Sequence, residues 1–163
     1  MTYTIRSFEE KDLPFLWEML YQSIFFPEGK QVSSREILKE KSIEKYLKNW
    51  DSKQDIALIA IDDSGESVGA VWMRLFSKEN SGYGYIDNDT PEISMAIMPQ
   101  HRGKGVGKYL LWEIISLARS IGYSKVSLSV DPLNKVALHL YEKIGFEKVY
   151  QDSGGSWTMK KEL

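Results

Sequence analysis

Residues 92–111 read EISMAIMPQHRGKGVGKYLL, and the spacing of their apolar side chains changes halfway. Ile93, Met95 and Ile97 alternate with Glu92, Ser94 and Ala96, the period of two that a strand requires. Pro99 ends that strand, and beyond it Val106, Leu110, Leu111, Ile114, Ile115 and Ala118 fall at helical spacing. Arg102, Gly103, Lys104, Gly105, Val106, Gly107 and Lys108 therefore sit where a strand turns into a helix. The first turn of a helix leaves about four backbone N–H groups without intrahelical acceptors, and glycines keep side chains out of a ligand's way. Such a turn suits phosphate. Two common phosphate loops do not fit it. A P-loop needs Gly and Ser or Thr where Arg102 and Tyr109 stand, and a dinucleotide fingerprint starting at Gly103 needs a third Gly at Lys108.

The pattern that does fit is Q/R-x-x-G-x-G/A, filled by Arg102, Gly105 and Gly107 and, two residues earlier, by Gln100, Gly103 and Gly105. It resembles the acyl-CoA-binding motif of the GNAT acetyltransferases, and the Arg102 register keeps the distances from strand and helix found in that family. A second run, N-x-x-A-x-x-L-Y-x-x-x-G-F from Asn134 through Phe146, resembles the family's other acyl-CoA motif. Its Asn134, Ala137 and Tyr141 share one helical stripe, with Leu138, Leu140 and Ile144 left for packing.

The resemblance implies an α/β (α+β) GNAT fold: a mixed, mostly antiparallel twisted sheet of six to seven strands flanked by about four helices, with splayed central strands. It also implies acetyl-CoA as co-substrate. The backbone at Ala96, Ile97 and Met98 would bond the pantetheine amides, residues Arg102 through Lys108 would take the pyrophosphate, and Asn134 would contact the pantetheine arm. Tyr141 would reach the thioester sulfur.

The bulk composition agrees with a compact intracellular enzyme. At 163 residues, 42% hydrophobic and 12% aromatic, the chain is long enough for one core and short for two, so residues 1–163 are expected to form a single N-acetyltransferase domain. The 21 basic and 23 acidic residues are interspersed, which argues against nucleic acid as the partner. No cysteine is present, so disulfides and thiolate chemistry are excluded and a cytoplasmic location is permitted. No apolar run approaches the length of a membrane span, and no metal-ligand spacing occurs.

Taken in order, Thr2 to Arg6 reads as a first strand. Ser7 and Glu10 have capping-box spacing, and Pro14 implies a restart near Asp12 with Phe15, Leu16, Met19 and Leu20 facing the core. Tyr21 to Pro27 is irregular and aromatic, and Ser34 to Trp50 returns to helical spacing. Asp55 to Ile61 and Ser67 to Phe76 are expected to pair as a hairpin. Ser77 to Thr90 is longer than a hairpin needs and carries Gly82, Gly84, Tyr83, Tyr85, Asp87 and Asp89, a candidate for function. Lys125 to Val130 is a strand parallel to the central one, Asn134 caps a short helix stopped by Gly145, and Phe146 to Gln151 and Ser156 to Lys161 are the last two strands.

An alkylamine with a pKa near 10.4 is protonated at neutral pH, and removing its proton costs on the order of 4 to 5 kcal/mol, so a base is expected. Glu92 lies near where some family members keep a carboxylate base but is displaced by one residue. A bulge would restore its direction; otherwise it is a solvated carboxylate at a strand end. Tyr141 is the candidate acid for the departing thiolate. His101 and His139 fit neither role. The implied activity is transfer of an acetyl group from acetyl-CoA to a primary amine of a small molecule, in a monomer or homodimer. The alternatives are protein or peptide N-terminal acetylation and a non-catalytic acyl-CoA-binding domain. Asp87 and Asp89 suggest a cationic acceptor.

Overall fold

The computed structural model describes residues 2–26 and 34–163. Seven strands form one sheet in the order β1-β2-β3-β4-β5-β7-β6: β1 Thr4–Ser7, β2 Ile56–Ile61, β3 Ser67–Arg74, β4 Glu92–Ile97, β5 Lys125–Val130, β6 Glu147–Gln151 and β7 Trp157–Glu162. Every neighbouring pair is antiparallel except β4 with β5. Among the described residues, four α-helices flank the sheet: α1 Leu13–Ser23, α2 Lys41–Glu44, α3 Val106–Ile121 and α4 Lys135–Ile144.

The alternation along the strands divides the core into two layers. On one face Ile93 and Ile97 of β4 and Val126, Leu128 and Val130 of β5 pack under Leu110, Leu111 and Ile114 of α3 and Tyr141 of α4. On the other, Ala96 of β4 and Trp72 of β3 meet Leu16, Met19 and Leu20 of α1 together with Tyr46 and Leu47. With both faces covered, β4 is buried on both sides, which explains its near-continuous burial.

Two local expectations change. The capping box belongs to Glu9 and Asp12, not to Ser7 and Glu10, and opens a 3-10 turn Glu10–Asp12 ahead of α1. The Asp12 carboxylate accepts the Glu9 N–H and both Arg6 terminal nitrogens, each at 2.8 Å, a charge-assisted set that a serine hydroxyl cannot match. Pro14 falls in the first turn of α1, where its missing N–H costs nothing.

The region expected to be helical from Ser34 to Trp50 is instead a 3-10 helix Arg35–Lys39, the four residues of α2, and turns. Side chains of β3 occupy the carbonyls that would carry a longer helix. Arg74 Nη1 donates to Lys45 O at 2.8 Å and Lys48 O at 2.9 Å, and Trp72 Nε1 donates to Tyr46 O at 3.2 Å. Pro27, the end of the irregular aromatic segment, lies outside the described residues.

Candidate active site

The glycine-rich turn connects β4 to α3 through a 3-10 turn Pro99–His101. Gly103 and Gly105 have φ of 77° and 84°, the left-handed region that favours glycine, and Gly105 is the N-cap of α3. A Cβ at Gly103 would meet nothing within 4 Å, and one at Gly105 only the Tyr109 ring, so both positions face open space. Gly107 is different: a Cβ there would lie 3.1 Å from Met95 Cε, so this glycine lets α3 settle onto β4.

Tyr109 N to Gly105 O, at 3.3 Å, is the first backbone hydrogen bond to follow Arg102 N. Among the described residues, the N–H groups of residues 103–108 therefore have no protein acceptor, which makes the turn a ready anion site.

The three cations of the turn are used differently. Arg102 Nε donates to Ile97 O at 2.9 Å, and its Nη2 reaches Gln22 O at 3.4 Å and Oε1 at 3.3 Å, tying the turn to β4 and α1. Lys108 Nζ lies 4.6 Å above the centre of the Trp112 ring. Lys104 is exposed and forms no ion pair among the described residues. A pyrophosphate fits this turn through six free amides and Lys104, with Arg102 holding the loop in shape.

The gap beside the turn follows from the sheet. The β4–β5 ladder consists of the pair Glu92 and Ser127, with Ser127 N donating to Pro91 O at 3.0 Å, and past that register the strands part. Backbone groups alternate between the two edges of a strand. Met98 N donates to Val68 O at 2.8 Å, so even-numbered residues of this strand face β3, while Pro91 and the odd-numbered Met95 and Ile97 face the gap. Of Ala96, Ile97 and Met98, Ile97 alone turns its backbone toward the gap; Met95, not singled out from the sequence, joins it.

Glu92 lies at the closed end of the gap, where β4 and β5 are still paired, and is 3% exposed. It is therefore not a solvated strand-end carboxylate, and β4 reaches it without a bulge. Tyr46 donates its hydroxyl to Glu92 Oε2 at 2.5 Å, and the same hydroxyl accepts the Tyr83 N–H at 2.7 Å. Burial pushes the Glu92 carboxyl up to about 7, against the Tyr46 hydroxyl, the Gly84 amide and the charge of Lys45, which favour the ionised form. Burial, and then the Glu92 charge, hold the Tyr46 phenol well above its ordinary value.

Residues 82–85 press this nest closed. A Cβ at Gly82 would lie 2.4 Å from Glu92 Oε1, and one at Gly84 would lie 2.6 Å from Leu128 C on β5. Thr158 on β7 donates to Tyr83 O at 3.1 Å, and the Tyr150 hydroxyl on β6 donates to Tyr85 O.

On the other face of the sheet, Tyr141 of α4 packs against Phe146 with ring centres 6.0 Å apart. Burial pushes its phenol up to about 12, and its hydroxyl makes no hydrogen bond among the described residues. Asn134 Oδ1 accepts the Ala137 N–H at 3.3 Å and so caps α4. His101 is held by the Tyr3 hydroxyl at 2.9 Å, and His139 is exposed.

Asp87 caps its own loop, accepting from Thr90 Oγ1 at 2.8 Å and Asp89 N at 2.9 Å, and lies 3.3 Å from Lys125 Nζ. The Thr90 hydroxyl is the main cause that lowers its carboxyl. Its charge is thus already engaged, which removes the basis for Asp87 as an acceptor-binding group. Among the described residues, no group of His, Asp and Glu could hold a metal ion, and no helix is long and apolar enough to cross a membrane.

Tyr46 and Ser127 are not singled out as site residues by the sequence, and Gly82, Tyr83 and Gly84 are marked there only as members of the candidate loop Ser77 to Thr90. Tyr46 stood in a helical run of apolar residues and looked like core, which its ring is; the glycines at 82 and 84 were the one visible signal that the loop passes close to something.

Comparison with known proteins agrees with this geometry. The chain is 31% identical over 97 residues to a mycothiol acetyltransferase of Propionibacterium freudenreichii, an alignment covering 60% of this chain and 29% of that protein. It is 37% identical over 57 residues to an L-amino acid N-acyltransferase of Escherichia coli, covering 35% of this chain and 33% of that one. The chain thus spans about a third of the length of these relatives.

A phosphinothricin acetyltransferase from Sinorhizobium meliloti, solved in complex with AcCoA, superposes with a TM-score of 0.73 at 19% identity over 100% of this chain and 89% of its own. The GNAT domain of an S. lividans protein superposes with a TM-score of 0.70 at 19% identity, over 100% of this chain and 92% of its own. At that identity the likeness shows the fold. The sequence profile of the acetyltransferase (GNAT) family matches residues 16–146, and with the splayed strands and glycine turn in place, the chain belongs to that family of acyltransferases.

Proposed function

We propose that the protein transfers an acetyl group from acetyl-CoA to the primary amine of a small molecule, by direct attack within a ternary complex. The observation that carries this reading is a buried carboxyl near neutrality at the point where the two central strands part. A general base works best when its pKa lies near the operating pH, and Glu92 meets that condition.

Bound acetyl-CoA supplies an electrophilic thioester carbonyl. Glu92 takes the proton of the incoming ammonium, freeing the nitrogen lone pair. A gap-facing N–H of Met95 or Ile97 is fixed by the sheet and stabilises the oxyanion with little reorganisation. Tyr141 stays protonated through the physiological range and hands its proton to the sulfur as the carbon–sulfur bond breaks. The second proton of the attacking nitrogen passes to solvent as the amide forms; the products are the amide, the free thiol and one proton, and both side chains recover their starting state by proton exchange with solvent.

Two observations favour a small acceptor over a protein terminus. Residues 82–85 wall the Glu92 side of the sheet, pinned by Thr158 and Tyr150. The Escherichia coli relative is named for acylating L-amino acids.

Turnover of acetyl-CoA across amino acids, polyamines, aminoglycosides and short peptides, followed by thiol release, tests the reading. A free small amine should be preferred, and kcat/KM should fall below about pH 7 as Glu92 protonates, because a base must be ionised to act. Glu92→Gln should lower kcat by about a hundredfold or more and remove that acidic limb. Preference for a peptide terminus, or a limb that survives in Glu92→Gln, would overturn it.

A further inference from the structure

We propose that Tyr46 is a positioning residue for Glu92: its hydroxyl holds Oε2 and fixes the carboxylate at the point where β4 and β5 part. This deepens the base reading above and rests on it.

The geometry of the pair is one-sided. The Tyr46 hydroxyl has one proton, which it donates to Oε2 at 2.5 Å, and the Tyr83 N–H supplied at 2.7 Å sets its direction. The Tyr46 ring is fixed in turn by Phe76, with ring centres 5.2 Å apart and planes at 66°. Oε1 has no completed hydrogen bond, although it is buried.

The second buried polar atom without a partner among the described residues is Ser127 Oγ, on a residue that is 0% exposed. Glu92 and Ser127 are register partners across the β4–β5 pair, and paired residues on neighbouring strands project to the same face. Unsatisfied buried groups are rare, and each calls for a reason. Here two lie on register partners at the closed end of the gap, while the other oxygen of the same carboxylate accepts from Tyr46.

The other charges near Glu92 are already committed. From the segment after α2, Lys45 Nζ donates to Ser81 O at 2.6 Å. From β3, Arg74, the register partner of Glu92, binds the Lys45 and Lys48 carbonyls and pairs with Asp55 at 3.1 Å. On β7, Lys160 pairs with Glu162 at 2.9 Å. The Tyr83 side chain is exposed, and its backbone makes the contact. Tyr46 is thus the side chain that touches the carboxylate and favours its ionised form by a full hydrogen bond, with the Gly84 amide acting in the same sense.

The test is the acidic limb of kcat/KM together with the 13C carboxyl titration of Glu92 in the free enzyme. Tyr46→Phe keeps the ring on Phe76 and removes the donor, so the carboxylate loses a stabilising bond and its titration should move up. A shift of about one pH unit is expected in both readouts, seen as an approximately tenfold loss of kcat/KM at pH 6 with a smaller change on the alkaline plateau. Site-specific 3-fluorotyrosine at 46, a stronger donor of similar size, should move the limb the opposite way and guards against a folding defect in the Phe variant. If Glu92→Gln removes the limb but neither Tyr46 variant moves it, the base reading stands and this proposal fails. A limb that survives in Glu92→Gln defeats both.

Discussion

The glycine turn and the Tyr46–Glu92 nest lie at opposite ends of one strand and are built in opposite ways. The turn is made of consecutive residues 102–108, and apart from the contact of Arg102 with Gln22 its bonds, such as Arg102 to Ile97, span a few positions. The nest joins residues 46 positions apart in Tyr46–Glu92, 37 in Tyr83–Tyr46 and 75 in Thr158–Tyr83. A local motif carries its geometry in its own backbone preferences, whereas the nest exists only after three separate segments have docked. Substitutions in the first should therefore act on binding alone, and those in the second on the chemical step.

The strongest break is Gly105→Glu. It places a side chain at a left-handed position and a negative charge among free amides, so acetyl-CoA should no longer raise the melting temperature of the protein. A variant with an undiminished thermal shift would remove the turn from the cofactor site.

Tyr141→Phe comes next. The ring keeps its contact with Phe146, so acetyl-CoA affinity should hold while the single-turnover rate falls by about a hundredfold. A wild-type single-turnover rate would return Tyr141 to packing and leave water as the donor. The smallest effect is assigned to the joint change Asp87→Asn and Asp89→Asn. Acceptor KM at low salt should change by less than about twofold, because Asp87 already serves Thr90 and Lys125, and the melting temperature should drop only slightly, since the new amide oxygen at position 87 can still accept from Thr90 and residue 89 and only the surface ion pair with Lys125 is lost. A large rise in KM for a cationic acceptor would show that the loop binds it after all.

This contrast also explains what the sequence disclosed. The period-two run from Ile93 to Ile97, the helical spacing from Val106 to Ala118 and the caps at Asn134 and Gly145 are local signals, and the strands, helices and glycine turn followed from them. Glu92 was visible as a carboxylate, but its burial was not, since nothing near it in sequence announces a tyrosine 46 residues away. The helical region read between Ser34 and Trp50 is broken into short pieces for the same reason. Arg74 and Trp72 of β3 capture its carbonyls, a competition that spacing within the segment cannot reveal. Backbone direction within β4 was equally hidden, because alternation alone does not say which edge meets β3; the bond from Met98 to Val68 decides it.

The strand order has a further bearing on how the protein is made. β7 is the last of the seven strands in the chain, yet it lies between β5 and β6, and β6 has no other strand partner. It also supplies the Thr158 hydroxyl that pins Tyr83. On a ribosome, where segments emerge in order, the glycine turn and both of its flanking elements are available while β5 still has an open edge. The nest around Glu92 gains its Thr158 contact only after residues 157–162 have emerged and paired with β5. A nascent chain should accordingly pass through a stage in which the glycine turn is formed but Tyr83 is not yet pinned beside Glu92.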